Sequence, residues 1–524
     1  MKKHHGWAVG LIVCLLASAG LAQDKPRTMT VSLEDCIART LKNNLGVAIQ
    51  VLSPQIAEQS LAAAREKFLP TFSLGYTKAH SESASYSYLE SSSSTQSVVS
   101  KTDNITFRGS ESLPFGGTLS LSATDYKTDS TTKYQTVNPR YSTSLAINYS
   151  QPLLKNFGYD ISRYSILVAR NNLVVSEYQL KQSISDTIYS IESAYWSLVY
   201  SIENLKVRQQ SVQLAKDLLE KNQRSVEIGT LAPMEILSAK AEVATREADL
   251  IQAETSVKSA EDQLKVLLNM PEDEARAIAS ITPLDAPPSE ERNVDLDEAL
   301  STALLSRPDL AATKVGIQTQ QLNLRYAKNQ TLPELNLAAS FSSPGLSGTQ
   351  LIYENNDPST GHIVGTIPGG ATGAFKDSFK FAYPNWSIGL TLNMPTANIF
   401  SRASLKQAQV SLREQILTFE NEKQQLYLEI KNAVRSVESN YKRIQAYKVA
   451  RELAEQKLAA EEEKFNVGQS TNYIVLTYQR DLASARISEL NAVVTYSVSL
   501  ASLDHSLGIN LKNRNVQMSD FVRN

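Results

Sequence analysis

Few residues of this 524-residue chain are placed to do chemistry. Beyond the N-terminal segment the histidines are His80, His362 and His505, each standing alone. A metal site needs several His, Cys or carboxylate donors at short spacing, and no such spacing occurs. There is no Gly-rich phosphate loop of the form GxxxxGK[ST], and no Ser/His/Asp set can be argued. Cys14 lies in the apolar run at the N-terminus, so Cys36 is the single thiol expected in the mature chain, without an intramolecular disulfide partner. These residue types predict a protein that is not an enzyme, with no cofactor and no bound metal. A net charge of −2 with 20% charged residues provides no basic surface for nucleic acid.

What recurs is a turn. Residues 226–237 read VEIGTLAPMEIL and residues 465–476 read FNVGQSTNYIVL. In both, a glycine follows an aliphatic residue and an aliphatic pair closes the run. The glycines, Gly229 and Gly468, are 239 positions apart (468 − 229). Their simplest reading is a helix C-cap, where glycine tolerates a left-handed backbone.

The turns belong to a larger duplication. TVSLEDCIARTL (30–41) aligns with NVDLDEALSTAL (293–304), and LPTFSL (69–74) with LPELNL (332–337), at a constant offset of 263. Over residues 33–74 there are nine identities in 42 positions, where chance gives about three. Ser32 with Asp35, and Asp295 with Glu298, have the spacing of helix-start capping boxes. From Arg163 and Arg402 onward the offset is 239.

Each copy then follows one order: helix, strand region, very long helix, glycine turn, shorter helix. The long helices are expected over about 160–227 and 400–466, free of Pro and Gly, each roughly 100 Å long. Ile184, Ile188, Ile191, Tyr195, Leu198, Ile202 and Leu205 step by four and three, as do Leu426, Ile430, Val437 and Ile444 with Ala433 and Tyr441 between. That is a coiled-coil seam.

Between the helices the period falls to two. YSTSLAINYS (141–150), NWSIGLTLNM (385–394), FSLGYT (72–77) and LNLAASF (335–341) alternate apolar with small or polar residues. Strands of that kind suit a barrel with lipid outside and water inside. Pro70 and Pro333 stand where helix yields to strand, and Pro152 and Pro395 where strand yields to helix. NITFRGSESL (104–113) and GGTLSLSATDY (116–126) form an additional hairpin in the first copy, which either widens the barrel or folds inside it. The Ser-rich run 81–100 and the segment 346–384 read as long outer loops.

The N-terminus has the form of a secretory signal: Lys2 and Lys3, a short apolar core from Trp7 to Leu16, and Gly20 and Ala22 before a cut at Gln23. Val13 before Cys14 does not fit a lipoprotein signal. The expected organisation is 1–22 signal; 23–70 first helix, 71–152 strands and outer loops, and 153–270 helical hairpin of repeat 1; 271–292 linker; 293–333 first helix, 334–395 strands and outer loop, and 396–510 helical hairpin of repeat 2; and 511–524 tail.

On the duplicated order, SQPLLKNFG (150–158) entering the long helix, and the two glycine turns, the chain resembles TolC-type outer-membrane efflux proteins. The resemblance implies an α+β fold: a homotrimer sharing a transmembrane β-barrel, four strands from each protomer, continued by a periplasmic α-helical coiled-coil barrel. It implies a passive exit duct of a tripartite efflux or type I secretion system. The partners would be outer-membrane lipid, a periplasmic adaptor (membrane fusion protein) and an inner-membrane pump. The tips that meet the adaptor would be Ile228, Gly229, Thr230, Val467, Gly468 and Gln469. Family members close the periplasmic mouth with polar links and aspartate rings. By position those sites fall at Phe465, Ser470, Ile474 and Thr477, with Glu235 in the first copy. The charged link is thus expected to be missing there, and Ile474 to form an apolar constriction. The rival reading is a secreted or periplasmic coiled-coil structural or adaptor protein. The duplication and the Pro-bracketed strands disfavour it.

Overall fold

The computed structural model describes residues 27–85, 97–394, 399–518 and 521. Pro395 and the 1–22 signal lie outside these. The first repeat holds β1 (Arg27–Val31), α1 (Leu33–Asn43), α2 (Leu45–Glu66), β2 (Thr71–Ala84), β3 (Ser97–Ser112), β4 (Thr118–Ser130), β5 (Val137–Pro152), α3 (Tyr159–Ser162), α4 (Tyr164–Glu227) and α5 (Met234–Leu267). After α6 (Glu272–Ala277) and β6 (Ile278–Pro283), the second repeat holds α7 (Leu296–Ser306), α8 (Pro308–Gln330), β7 (Glu334–Tyr353), β8 (Ile363–Ile367), α9 (Ala371–Phe379), β9 (Asn385–Asn393), α10 (Ile399–Asn466) and α11 (Asn472–Ser506), followed by α12 (Asn510–Asn513).

Each expected first helix is in fact two. The break falls at Asn44 and at Arg307, both extended, with ψ of 124° and 121°, and the two positions are equivalent at the 263 offset. The Asn44 side chain accepts from Gly46 N and Val47 N, restarting the helix, while Pro308 occupies the first position of α8. Helix-start capping holds at Ser32, whose Oγ accepts from Asp35 N at 3.1 Å and donates to Asp35 Oδ2 at 2.8 Å. The 271–292 linker is not featureless: β6 pairs in parallel with β1 and draws the inter-repeat segment onto the first repeat.

The long helices run 64 and 68 residues without interruption, because no Pro or Gly breaks their hydrogen-bond ladders. The seam is buried where the short helices cross it. Ile184, Ile188, Ile191, Tyr195 and Leu198 are fully enclosed with Cys36, Ile37, Leu264 and Ile281. Leu426, Ile430 and Val437 pack with Ala299, Ala303, Tyr496 and Leu503. Each large aliphatic buried there contributes about 1.5–3 kcal/mol. A third, smaller cluster of Leu218, Leu458, Val475, Leu476 and Leu482 lies toward the glycine turns.

Among the described residues, all strands but β1 and β6 form one sheet, in the order β2-β3-β4-β5-β7-β9, with β8 on the far end of β7. The resemblance implied four strands; β3 and β4 add two more, inserted in line between β2 and β5. The strands also run longer than their alternating cores. The loop expected at 346–384 contains the end of β7, β8 and α9, and the Ser-rich run is strand up to Ala84 and from Ser97. The register puts like with like. Opposite residues Phe72–Gly109, Leu74–Phe107, Phe107–Ala123, Leu121–Ile147, Ile147–Phe341 and Phe341–Trp386 share one face. Ser73, Arg108, Ser122, Ala146, Ser342 and Asn385 share the other. Outside the patch under α9, much of the apolar face is exposed: Leu74 is 76% exposed and Trp386 74%. A band of that extent needs a nonaqueous neighbour.

Candidate functional site at the paired hairpin tips

α4 and α5, and α10 and α11, are antiparallel pairs joined by the glycine turns. The two turns are closed by the same bonds. Gly229 N donates to Val226 O at 3.0 Å and Thr230 N to Ser225 O at 2.8 Å; Gly468 N donates to Phe465 O at 3.1 Å and Gln469 N to Lys464 O at 2.9 Å. This is the Schellman arrangement. It requires a left-handed residue, and φ is +79° at Gly229 and +76° at Gly468. A Cβ built on either glycine would meet nothing within 4 Å, so the backbone conformation and not crowding demands glycine there. Ile228 and Val467 are 75% and 71% exposed, so the turns present aliphatic side chains to the surroundings. Thr230 and Gln469 are exposed beside them.

Of the positions read as a gate, Phe465 packs on the tip cluster with Lys221 Nζ 5.1 Å from its ring centroid. Lys221 also donates to Asn466 Oδ1, tying α4 to the end of α10. Ser470 Oγ donates to Glu461 Oε1 at 2.6 Å, and Glu461 pairs with Lys464 at 3.2 Å. Glu235 accepts from Asn472 Nδ2 at 3.1 Å, joining the start of α5 to the start of α11. Ile474 is half-buried, and Thr477 Oγ1 donates to Tyr473 O at 2.8 Å within its own helix. The structure thus brings Glu235 to the second hairpin and leaves Thr477 bonded locally.

A charged link does join the hairpins, farther from the turns than expected. Arg246 of α5 is enclosed and pairs with Glu242 at 2.9 Å. Its Nη1 donates to Ser211 O at 2.9 Å and to Gln479 Oε1 at 3.3 Å, and Nη2 to Leu476 O at 3.4 Å. Arg480 of α11 pairs with the other Glu242 oxygen at 2.7 Å. One carboxylate therefore holds two guanidinium groups from different hairpins. Burial acts to raise the Glu242 pKa, but the hydrogen bonds and charges of Arg480 and Arg246 outweigh it and hold the carboxyl below the usual range. Sequence reasoning passed over these residues. The i, i+4 spacing of Glu242 and Arg246 was legible, but Arg480 lies 238 positions away.

The histidines remain apart. His80 is on exposed β2, His362 lies in the turn before β8, and His505 Nε2 is 2.7 Å from Asp186 Oδ1. Among the described residues no group of three metal-capable side chains forms, and no helix is long and apolar enough to cross a membrane. Cys36 is fully buried, and burial, with Asp35 beside it, pushes its thiol up to about 12.

Residues 36–270 and 299–509 match the family model described as outer membrane efflux protein. The chain belongs to the outer membrane efflux protein family. Similar proteins include the outer membrane efflux protein BepC of Brucella suis biovar 1 (strain 1330), 21% identical over 371 residues, which are 71% of this chain and 70% of that one. The probable outer membrane lipoprotein SilC of Salmonella typhimurium is 27% identical over 172 residues, 33% and 34% of the two chains. Among solved structures, the CmeC outer membrane channel of Campylobacter jejuni superposes with a TM-score of 0.63 at 16% identity, covering 93% of this chain and 90% of that one. The open state of the MtrE outer membrane channel of Neisseria gonorrhoeae gives 0.61 at 20%, covering 93% and 91%. This efflux protein shares the α+β fold of those channels. It is an outer-membrane protein.

Proposed function

We propose that three copies of the chain close one channel that carries solutes from the periplasmic face across the outer membrane. The observation that carries this reading is the sheet: one face with a band of apolar side chains across its strands, the other rich in Ser, Thr and Asn, standing above two helical hairpins roughly 100 Å long. Edge strands β2 and β9 each have one unpaired side among the described residues. Pairing β2 of one copy with β9 of the next satisfies both edges, as lipid demands. Six strands from each of three copies make an eighteen-stranded wall, within the range such barrels span. Barrel diameter grows roughly linearly with strand number, so this wall is wider than one of four strands per copy.

The two matched tips per copy become six near-equivalent tips around the axis. Ile228, Gly229, Thr230, Val467, Gly468 and Gln469 then face a ring of periplasmic adaptors. An inner-membrane pump supplies the energy, and the channel is passive. The adaptor shifts the tips between closed and open arrangements. Ile474 narrows the closed mouth, and the links from Glu235 to Asn472 and from Glu242 to Arg480 hold paired hairpins together.

Two experiments test the reading. Purified protein in planar bilayers should form ion-conducting, heat-modifiable trimers. A photocrosslinker at Thr230 or Gln469 should capture a periplasmic hairpin protein. Monomeric material that needs no detergent and passes no ions sinks the proposal.

A further inference from the structure

The second repeat carries α9 between β8 and β9, and no helix interrupts the described strands of the first repeat. Contacts show which side of the sheet α9 lies on. Ser343 and Gly345 of β7 stand opposite Leu145 and Thr143 of β5, on the face of Ile147 and Trp386. Ser343 Oγ donates to Ser378 O at 2.7 Å, and Ser378 Oγ to Thr143 O at 3.0 Å. A Cβ built on Gly345 would stand 1.9 Å from Ala374 O. Past the helix, Phe381 meets Phe341 with ring centroids 5.9 Å apart. The helix therefore rests on the apolar face, opposite the Ser/Thr face of the proposed channel. Small residues at the contact let its backbone approach.

Its level follows from the register. On neighbouring strands the apolar rows end near α9: Asp125 stands opposite Thr143, and Lys127 opposite both Tyr141 and Asp103. The segment before the helix meets the sheet at Gly348, where a Cβ on Gly369 would lie 2.2 Å from Gly348 O, and the helix leads down to Phe341. It thus spans the outer rim of the apolar band. Phe375 and Phe379 are about half exposed with centroids 4.6 Å apart, and past the helix Phe381, beside Phe341, and Tyr383 are still 54% and 60% exposed. Lys376 and Lys380 are also exposed. Aromatic rings at headgroup depth, with lysines reaching toward phosphates, are the composition of a membrane-interface segment.

We infer that α9 is an interfacial helix fastened to the outside of the strand wall and seated at the headgroup–acyl boundary of the outer leaflet. Phe379, Phe381 and Tyr383 enter the lipid, and Lys376 and Lys380 turn to anionic headgroups. The helix fixes the height of the wall in the membrane when force is applied at the distant tips. The inference rests on the channel reading above.

Nitroxide depth measurements on the full-length protein in phosphatidylethanolamine/phosphatidylglycerol vesicles test it. Labels are placed singly at Thr372→Cys, Phe379→Cys and Ile388→Cys in a Cys36→Ser background. At 388 and 379 collision with oxygen should outweigh collision with a water-soluble nickel chelate, deeper at 388; at 372 the ratio should reverse. Should Phe379→Cys not assemble, Phe381→Cys reads the same boundary. Nickel-dominated relaxation at 379 with a lipid signal at 388 overturns the α9 proposal and leaves the channel reading standing. So does shielding of 379 from both reagents, which would place it under a neighbouring copy. An aqueous signal at 388 removes the channel reading and this inference together.

Discussion

The two repeats agree in their helices and differ in their strands. Gly229 and Gly468 close equivalent turns, and the far ends of α5 and α11 repeat the match: Asn269 and Gly508 are both left-handed, with φ of +48° and +70°, at the same 239 spacing. Among the described residues between the helices the first repeat builds four strands, whereas the second builds two long strands, the short β8 and α9. The difference follows from what each region packs against. A helix in a bundle meets neighbours on several sides along its whole length, so an insertion disturbs every contact beyond it. A sheet grows by whole hairpins, each returning the chain to the same end, so two strands enter without moving the helices that follow. The turn of the added hairpin lies at the helical end of the sheet, where Gln151 Nε2 donates to Phe115 O at 3.2 Å and Ser162 Oγ to Pro114 O.

Deleting Ser97–Ser130, which removes β3 and β4, should have the largest effect. If the hairpin is an independent insert, β2 re-pairs with β5 and trimers still form. Unitary conductance of a variant with open tips then falls to roughly half, because the bore narrows with strand number; loss of assembly would show the hairpin to be integral. Next in size are Ile191→Ala and Ile430→Ala, equivalent at the 239 offset and both fully buried. Each should cost about 2–5 kcal/mol, seen as matched drops in the thermal midpoint of the helical circular dichroism. Unequal drops would deny the repeats equivalent cores.

Smaller effects are expected at the tips. Glu242→Ala leaves Arg246 buried without its carboxylate and should cost about 3 kcal/mol locally, raising protease cleavage between α5 and α11 and closed-state conductance. Because the Glu242 pKa is depressed in the folded chain, its link is complete above the ordinary carboxylate range and is lost as pH falls through the lower folded value. Closed-state conductance should therefore rise on acidification, and Glu242→Gln should flatten that part of the profile. Ile474→Asp should change closed-state conductance as well if Ile474 narrows the mouth. The smallest effects are Gly229→Ala and Gly468→Ala, about 1 kcal/mol each from the left-handed backbone. These should be alike by thermal denaturation.

Much of this architecture was legible because it is written locally. A 3.5 period, a period of two, a glycine needing positive φ and a capping serine each act through neighbours a few residues away. They determined the long helices, the one-sided strands, the turns and the duplication. The break at Asn44 and Arg307 was missed: Pro308 was a legible stop signal for the helix before Arg307, whereas at Asn44 only the Asn side chain marks the restart. Tertiary structure alone decided that β3 and β4 lie in line in the sheet, that Arg480 reaches Glu242, and that α9 settles on the apolar face. Each depends on groups far apart in the chain, where pairing register and close approach choose among partners that local pattern leaves equivalent. For α9 the contact is made by Ala374, Ser378 and Gly345, residues too small to leave an apolar stripe.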